Sequence, residues 1–198
     1  DYSTLESIRE TGGIVQDQHW DKNREKILQA IELSSKLGIE LLSFHFGFID
    51  DSKNALRERV LFLADAAQRK NVLILMETGQ ETAQLLRDFL EELSHPALGV
   101  NFDPANMVLY GKGNPVFALE TLKPWVKHVH IKDAKKSTSP DQWGEEVPWG
   151  EGDFNNVEFL NTLISIDYKG ALAIEREAGT QRSADIQHAA RLLSHFTA

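Results

Sequence analysis

The feature of this sequence that most constrains its fold is a regular alternation of short apolar runs with longer amphipathic segments. The apolar runs are rich in β-branched and aromatic residues and have the length of single strands. The amphipathic segments carry apolar residues at helical spacing, as Ile27, Ile31 and Leu37 do ahead of Gly38, which is a natural helix end. The predicted strands are 39–48, 71–79, 98–106, 126–133 and 170–177, and the predicted helices are 19–38, 56–70, 80–94, 115–122, 155–166 and 183–196.

Strands that alternate with helices in this way predict an α/β fold with a parallel sheet. Parallel neighbours need crossover connections, and each connection here contains a helix of suitable length. A doubly wound sheet and a (β/α) barrel both satisfy the pattern. No linker interrupts it, so residues 1–198 are predicted to form a single domain. Asp51 or Ser52 is predicted to cap the helix at 56–70, and residues 135–153 to form a long polar loop.

The composition excludes several classes of protein. The 198 residues are 41% hydrophobic, which is enough for one sizeable core. No apolar run approaches the ~18 residues that span a bilayer, so no membrane partner is expected. There is no cysteine, which excludes disulfides and thiolate metal sites. The net charge of -9 would repel a phosphate backbone, which favours a small-molecule partner over nucleic acid.

Each predicted strand carries a polar exception at or near its carboxyl end. In a parallel barrel these ends meet at one face, so the side chains would converge there. Uncompensated carboxylates gathered in that way would repel one another and lose hydration, and a divalent cation would relieve both effects. The residues are His45, Glu77, Asp103, His130 and Glu175.

Two histidines, His128 and His130, lie in the strand VKHVHIKD and share one face by strand alternation. Nearer the strand end, His130 is predicted to be a metal ligand. Because His128 lies two residues deeper, a core role or a role supporting the ligand is predicted for it. A single buried carboxylate at a strand end is equally well explained as the partner of an arginine or lysine, so the prediction rests on several such ends acting together.

The order and spacing of these segments resemble the xylose isomerase-like TIM barrel superfamily, the sugar phosphate isomerase/epimerase group. The resemblance covers roughly residues 13–195 and implies a (β/α)₈ barrel. About five to six of its eight βα units are present, so the chain corresponds to the C-terminal two-thirds of a barrel. At about 30 residues per unit, roughly three further units would precede Asp1. The matching segments are SFHFG, LMETGQET, GVNFDPANM, VKHVHIKD, WGEEVPWGEGDF and AIEREAG.

The resemblance implies a site that holds one divalent metal ion. Mn²⁺ is the first choice for an oxygen-rich ligand set, with Mg²⁺, Co²⁺ and Zn²⁺ as alternatives. The implied ligands are Glu77, Asp103, His130 and Glu175. The implied substrate-binding residues are His45, Asn106, Lys132, Glu177 and Trp149.

The resemblance also implies a metal-dependent sugar or sugar phosphate isomerase or epimerase of carbohydrate metabolism. Its reaction moves a proton next to a carbonyl through an ene-diolate, with Glu77 and Glu175 as the catalytic pair. A sugar or polyol is the expected partner, a homo-oligomer is compatible with the sequence, and the cytoplasm is the default location.

Two residues have alternative interpretations. Lys132 is predicted to face a developing oxyanion or a phosphate, and a structural salt bridge accounts for it equally well. Trp149 is predicted to form a lid on a sugar ring, together with Trp143, Glu145, Glu146 and Glu151. The alternative is a long loop packed on the barrel by its tryptophans.

Other functions are alternatives. An inosose dehydratase-like lyase would use the same metal and the same first proton abstraction. A DNA-repair endonuclease of the endonuclease IV type is disfavoured, because it needs a zinc-binding histidine three residues after Asp103, where this chain has Asn106. A non-catalytic sugar-binding fragment would bind without turnover, and metal content distinguishes it from the enzymes.

Overall fold

The computed structural model describes residue 7 and residues 10–49, 54–139 and 142–196, so the predicted cap at Asp51 or Ser52 lies outside the described residues. None of the described helices is both long and apolar enough to cross a bilayer. The helices are α1 (Asp17–Leu37), α2 (Asn54–Gln68), α3 (Ala83–Leu93), α4 (Pro104–Leu109), α5 (Pro115–Leu122), α6 (Asn156–Ser165) and α7 (Arg182–Ser194). The strands are β1 (Leu41–Phe44), β2 (Leu73–Glu77), β3 (Leu98–Phe102), β4 (Val126–Ile131), β5 (Asp133–Lys135), β6 (Glu145–Val147) and β7 (Leu172–Ile174).

The chain groups into two compact units, of which the first comprises the described residues of Asp1–Glu77 and Leu85–Val100. In this unit β1 pairs in parallel with β2, and β2 is followed in the sheet by β3. Helix α1 ends as predicted at Gly38, which has a left-handed φ of 70° and donates its N–H to the last turn. The core is built from the inward faces of the helices and from β2, including Ile31, Val60, Leu63, Ile74 and Leu86.

The second unit comprises Thr78–Gln84 and the described residues of Asn101–Ala198, so β3 contributes to both units. Here β3 is followed in the sheet by β4 and β7, and β4 pairs in parallel with β7. The five parallel strands therefore follow one another in chain order. A doubly wound sheet needs a point where the strand order reverses, whereas a barrel does not. The predicted α/β fold with a parallel sheet is confirmed, and the order of the described strands favours the barrel of the two predicted architectures.

Several predicted strands extend too far. The prediction 98–106 is wrong after Phe102, because Asp103 begins helix α4. The Asp103 side chain accepts a hydrogen bond from the Asn106 N–H, and Pro104 occupies the first turn, where its missing N–H costs nothing. The prediction 39–48 shortens to Leu41–Phe44. Local capping thus ends a strand that the apolar pattern alone would continue.

The predicted polar loop at 135–153 contains a short antiparallel pair, β5 with β6, in which Asp133 lies opposite Val147. The predicted strand 126–133 accordingly divides at Lys132 into β4 and β5. The sequence carried no alternation strong enough to predict β6, which has three residues. Tertiary anchors hold this hairpin in place.

The first anchor is Asp133, whose side chain is fully buried. Its Oδ2 accepts hydrogen bonds from the N–H groups of Gly150 at 2.9 Å and Gly152 at 3.1 Å, and from the Asn156 side-chain amide at 2.9 Å. A Cβ on Gly152 would lie 1.7 Å from Asp133 Oδ1, so only glycine permits this approach. Burial raises the pKa of Asp133, although these donors act to lower it. Through these hydrogen bonds the carboxylate holds the end of the loop against β5.

The second anchor is Glu146, which is 7% exposed. Its Oε1 accepts from Arg176 Nη1 at 2.8 Å, from the Glu177 N–H at 2.9 Å and from the Ala178 N–H at 3.3 Å. Arg176 also donates to Asp185 on α7 at 2.9 Å. One side chain of β6 therefore holds the backbone that follows β7.

We expect Asp133→Asn to lower the free energy of unfolding by about 2–3 kcal/mol. The new amide would turn an NH₂ group toward N–H donors, and each buried donor left without an acceptor costs about 1–3 kcal/mol. Urea denaturation in the presence of a chelator measures the change. The matched control is Asp153→Asn, because Asp153 is exposed and accepts from the Lys136 N–H; equal losses in the two variants would contradict the anchoring role.

Replacing Glu146 by alanine should accelerate hydrogen exchange at the Glu177 and Ala178 amides by about tenfold, since it removes a charged acceptor worth about 1.5 kcal/mol. Exchange followed by NMR at these two amides gives the answer directly. Glu145→Ala is the control, because Glu145 is exposed on the same strand. Unchanged protection at both amides in Glu146→Ala would mean that β6 does not hold this segment.

Candidate metal centre

Three of the predicted ligands lie together in the second unit. Asp103, His130 and Glu175 each offer a ligand atom, and these atoms lie within 4.8 Å of one another. His130 Nδ1 lies 3.3 Å from Asp103 Oδ2 and 3.2 Å from Glu175 Oε2. The Asp103 side chain is fully buried, and the Glu175 side chain is 33% exposed. The three donors therefore form a cluster that is open on the Glu175 side.

Both backbone polar groups of Asp103, the N–H and the carbonyl, are hydrogen-bonded to the side chain of Thr78. The Thr78 hydroxyl accepts from the Asp103 N–H at 2.8 Å and donates to the Asp103 carbonyl at 3.0 Å. Asp103 Oδ1 accepts a hydrogen bond from the Asn106 N–H, whereas Oδ2 faces His130. Gly79, with φ of 130°, allows close approach to α4, because a Cβ there would lie 2.3 Å from the Asn106 Cβ. The orientation of the carboxylate is thus set by the backbone around it.

His130 is surrounded by groups that favour a positive charge. Burial acts to lower the pKa of His130, but Asp103 and Glu175 outweigh it and raise this pKa to about 10. On its other side, Nε2 lies 3.2 Å from the Asn101 side-chain Nδ2. Burial and the neighbouring His130 lower the pKa of His128. The surroundings therefore favour the protonated form of His130 and the neutral form of His128.

Glu175 directly follows β7, and its N–H donates to the Ile131 carbonyl at 3.2 Å. Hydrogen bonding to His130 lowers the pKa of Glu175 to about 2 against the effect of burial, and Lys132 contributes in the same direction. The side chain is therefore an ionised carboxylate that can only accept hydrogen bonds or bind a cation.

Lys132 is a buried ammonium group among carboxylates. It is 3% exposed, and its Nζ lies 2.9 Å from Glu175 Oε2 and 2.5 Å from Glu177 Oε2. Asp103 at 3.8 Å and Glu146 at 4.0 Å complete its surroundings. Burial acts to lower the pKa of Lys132, but Asp103, Glu177 and Glu175 raise it overall. The salt-bridge alternative for Lys132 therefore describes the contacts of its ammonium group.

This donor set suits a divalent cation. Two carboxylate oxygens and an imidazole nitrogen are ligands that Mn²⁺, Mg²⁺, Co²⁺ and Zn²⁺ accept to different degrees. More than one carboxylate surrounds the single positive charge of Lys132, so the negative charge here is only partly compensated. The same carboxylates that contact His130 raise its pKa, because they favour its protonated form. A cation facing Nδ1 would compensate this negative charge in place of a proton.

The other two polar strand ends belong to the first unit. Glu77 is the last residue of β2, and its Oε1 lies 3.6 Å from His45 Nε2. The two side chains are 14% and 23% exposed. His45 Nδ1 is buried and has no hydrogen-bond partner among the described residues. Buried polar nitrogens usually have a hydrogen-bond partner, so Nδ1 is a candidate for contact with a group outside the described residues.

The remaining predicted substrate residues occupy different environments. Asn106 is 5% exposed in α4, while the Glu177 side chain is 69% exposed beside Lys132. Trp149 is 5% exposed, and its ring packs edge-on against Phe154 and Phe159. The packed-loop alternative therefore describes the position of Trp149.

Sequence reasoning missed Thr78, which acts through backbone groups and for which a sequence carries no clear signal. It named Glu146 as a lid residue, whereas the structure places this side chain against Arg176 and the N–H groups of Glu177 and Ala178. Asn101 did have a signal, since it is the one polar residue of the strand LGVNF, in which every residue is buried. Its side chain contacts both His128 and His130. A polar residue inside a fully buried strand needs a partner, and this could have marked Asn101 beforehand.

Known proteins provide comparisons for this arrangement. The chain is 33% identical to a xylose isomerase domain protein from Planctomyces limnophilus, whose crystal structure it matches with a TM-score of 0.94 over 99% of this chain and 73% of that chain. It is 28% identical over 148 residues to inosose dehydratase 1 of Bacillus cereus (strain ZK / E33L), covering 66% of this chain and 49% of that protein. It is 26% identical over 168 residues to the Escherichia coli (strain K12) protein named "Putative L-ribulose-5-phosphate 3-epimerase SgbU", covering 78% and 58%.

The chain spans about half the length of the curated relatives that it matches. The family model described as xylose isomerase-like TIM barrel matches residues 11–195, which is nearly the whole sequence. This match agrees with the parallel sheet and with the resemblance read from the motifs. The chain therefore belongs to the xylose isomerase-like TIM barrel family.

Proposed function

We propose that this protein is a divalent-metal-dependent enzyme that isomerises or epimerises a sugar or sugar phosphate by proton transfer next to a carbonyl. The observation that carries the proposal is the cluster of Asp103, His130 and Glu175, with ligand atoms within 4.8 Å of one another and Lys132 beside it. The pKa values of His130 and Glu175 are strongly shifted, and titratable groups of this kind that lie together are typical of functional sites. Sugar-processing relatives support the choice of substrate class.

Glu77 is proposed as the fourth ligand. It ends β2, and it directly precedes Thr78, whose hydroxyl holds the Asp103 main chain. The complete set would then be Glu77, Asp103, His130 and Glu175. Mn²⁺ is the proposed ion because three of the four ligands are carboxylates, with Mg²⁺, Co²⁺ or Zn²⁺ as alternatives.

When bound, the cation supplies Lewis-acid polarisation of a substrate carbonyl. Glu175 removes the proton on one face of the adjacent carbon and keeps it, and Glu77, which starts protonated, donates its own proton to the other face. Glu175 is a weak base while His130 and Lys132 hold its pKa at about 2. Lys132 is therefore proposed to have a second role beyond its salt bridges. When it turns to a substrate oxygen, it stabilises the negative charge there and leaves Glu175 more basic.

The substrate is proposed to lie among His45, Asn106, Lys132 and Glu177. His45 has a buried nitrogen without a partner among the described residues, and Glu177 reaches solvent beside Lys132. Trp149 is proposed to act by supporting its loop, because its ring packs on Phe154 and Phe159. Loops at the carboxyl ends of barrel strands are where such enzymes bind their substrates.

A lyase of the inosose dehydratase kind is the second candidate, favoured by the Bacillus cereus relative at 28% identity. Its first step is the same proton abstraction, and elimination of water follows. An endonuclease is disfavoured by Asn106 and by the net charge of -9. A fragment that binds sugar without catalysis remains an alternative because the chain spans about half of its curated relatives.

Calorimetric titration with Mn²⁺ should give about one ion per chain. Glu175→Gln should weaken binding by about 100-fold or more, since loss of even an outer partner costs about 10–100-fold. Glu151→Gln is the control, because Glu151 is exposed on the loop and has no proposed contact with the ion. Folded protein that binds no cation would refute the site, and three ions per chain would favour the endonuclease.

In D₂O with Mn²⁺, we expect deuterium to enter substrate ketoses at the carbon next to the carbonyl. Glu175→Gln should slow this exchange by about 10²–10⁴-fold, the usual contribution of a general base. NMR and mass spectrometry of the products separate the two candidate reactions. An isomer of unchanged composition supports the isomerase, whereas loss of water supports the lyase. Cation binding without any exchange would leave the non-catalytic alternative.

A further inference from the structure

Asn101 connects the two histidines of β4. It is fully buried in β3, and its Oδ1 lies 2.8 Å from His128 Nδ1 while its Nδ2 lies 3.2 Å from His130 Nε2. His130 Nδ1 faces Asp103 and Glu175 on the opposite side of the ring. One amide therefore contacts a proposed metal ligand and a histidine that has no role in the proposed reaction.

The chemistry of the amide determines where each ring carries hydrogen. An amide oxygen only accepts and an amide NH₂ only donates. In the orientation present here, His128 donates from Nδ1, and His130 Nε2 offers its lone pair to the NH₂ group. The hydrogen of a neutral His130 then lies on Nδ1, toward the two carboxylates.

A cation bound at His130 Nδ1 requires the other arrangement. The neutral ring must then carry its hydrogen on Nε2, which would point at the NH₂ group of Asn101. Full protonation of His130 makes the same demand. Turning the amide by about half a revolution removes the conflict: the oxygen accepts from His130 Nε2, and the NH₂ donates to His128 Nδ1. That nitrogen must then be unprotonated, so His128 carries its hydrogen on Nε2.

We propose that Asn101 is a positioning residue for the metal centre, whose amide turns to hold His130 through Nε2–H and thereby selects the Nε2–H form of His128. The inference rests on the proposed cation site and deepens it. Hydrogen bonds to the second nitrogen of a metal-binding histidine orient the ring and raise its basicity. Asn101 thus links the state of His130, whether cation-bound or fully protonated, to a ring that the cation does not touch.

The test uses Zn²⁺, which is diamagnetic, and protein labelled with ¹⁵N at histidine, at pH 8. Two-bond ¹H–¹⁵N spectra identify the protonated nitrogen of each ring, and the loss of one set of signals in His128→Gln assigns His128. In the Zn²⁺-loaded wild type we expect His128 to carry hydrogen on Nε2. In loaded Asn101→Asp both carboxylate oxygens accept, so His128 should carry hydrogen on Nδ1 while Zn²⁺ binding is retained.

Cation affinity provides a second measurement. Asn101→Leu keeps the branched shape of the side chain but makes no hydrogen bond, and it should bind Zn²⁺ about 10–100-fold more weakly. Asn161→Leu is the matched control, because Asn161 is exposed on α6. If Asn101→Leu does not fold, the position of the hydrogen on His128 in the wild type and in Asn101→Asp still tests the role of Asn101.

The outcomes separate the two proposals. A loaded wild type whose His128 carries hydrogen on Nδ1 would overturn the role of Asn101 and leave the cation site intact. Unchanged affinity in folded Asn101→Leu would do the same. A folded wild type that binds no Zn²⁺, Mn²⁺ or Mg²⁺ would refute the cation site, and the role of Asn101 would fall with it.

Discussion

The second unit depends on the compensation of negative charge at the carboxyl ends of its strands. Asp103 and Glu175 lie at the ends of β3 and β7, and His130 and Lys132 come between them from β4 and the residue after it. Removal of a buried partner from such a cluster is costly, because the remaining charge stays away from water without an opposite charge. The same pairing that stabilises the fold brings together the donors of the proposed cation site.

Carboxylates also determine the path of the backbone around this cluster. Asp133 accepts hydrogen bonds from N–H groups at the end of the loop, and Glu146 accepts hydrogen bonds from N–H groups that follow Glu175. Asp103 caps α4 with one oxygen and leaves the other for His130. Charged acceptors make stronger hydrogen bonds to N–H groups than neutral ones, so a few acidic side chains can fix several loops. Three neighbouring acidic residues thus have anchoring roles, and only one of them is a proposed ligand.

Much of this architecture could be predicted because it depends on periodicity. Alternating strands and helices gave the order of the elements, and the polar exceptions at strand ends gave Asp103, His130 and Glu175. The shorter strands and helix α4 could not be predicted from the same signal, because a cap such as Asp103 competes with the apolar pattern only locally. The β5–β6 hairpin was missed for a different reason: its strands have three residues each and are held by contacts distant in sequence.

By itself, the sequence determined the fold class, because side-chain periodicity follows from the geometry of strands and helices, and it determined the chemical types of the candidate ligands. Only the tertiary structure decided which polar residues serve which purpose. Trp149 and Glu146 are residue types expected in a lid over a substrate. In the structure, however, Trp149 packs against Phe159 in the core and Glu146 binds Arg176. Asn101 looks like an exception within a strand, yet it lies between two histidines. These roles depend on distances between residues far apart in the chain, which periodicity does not encode.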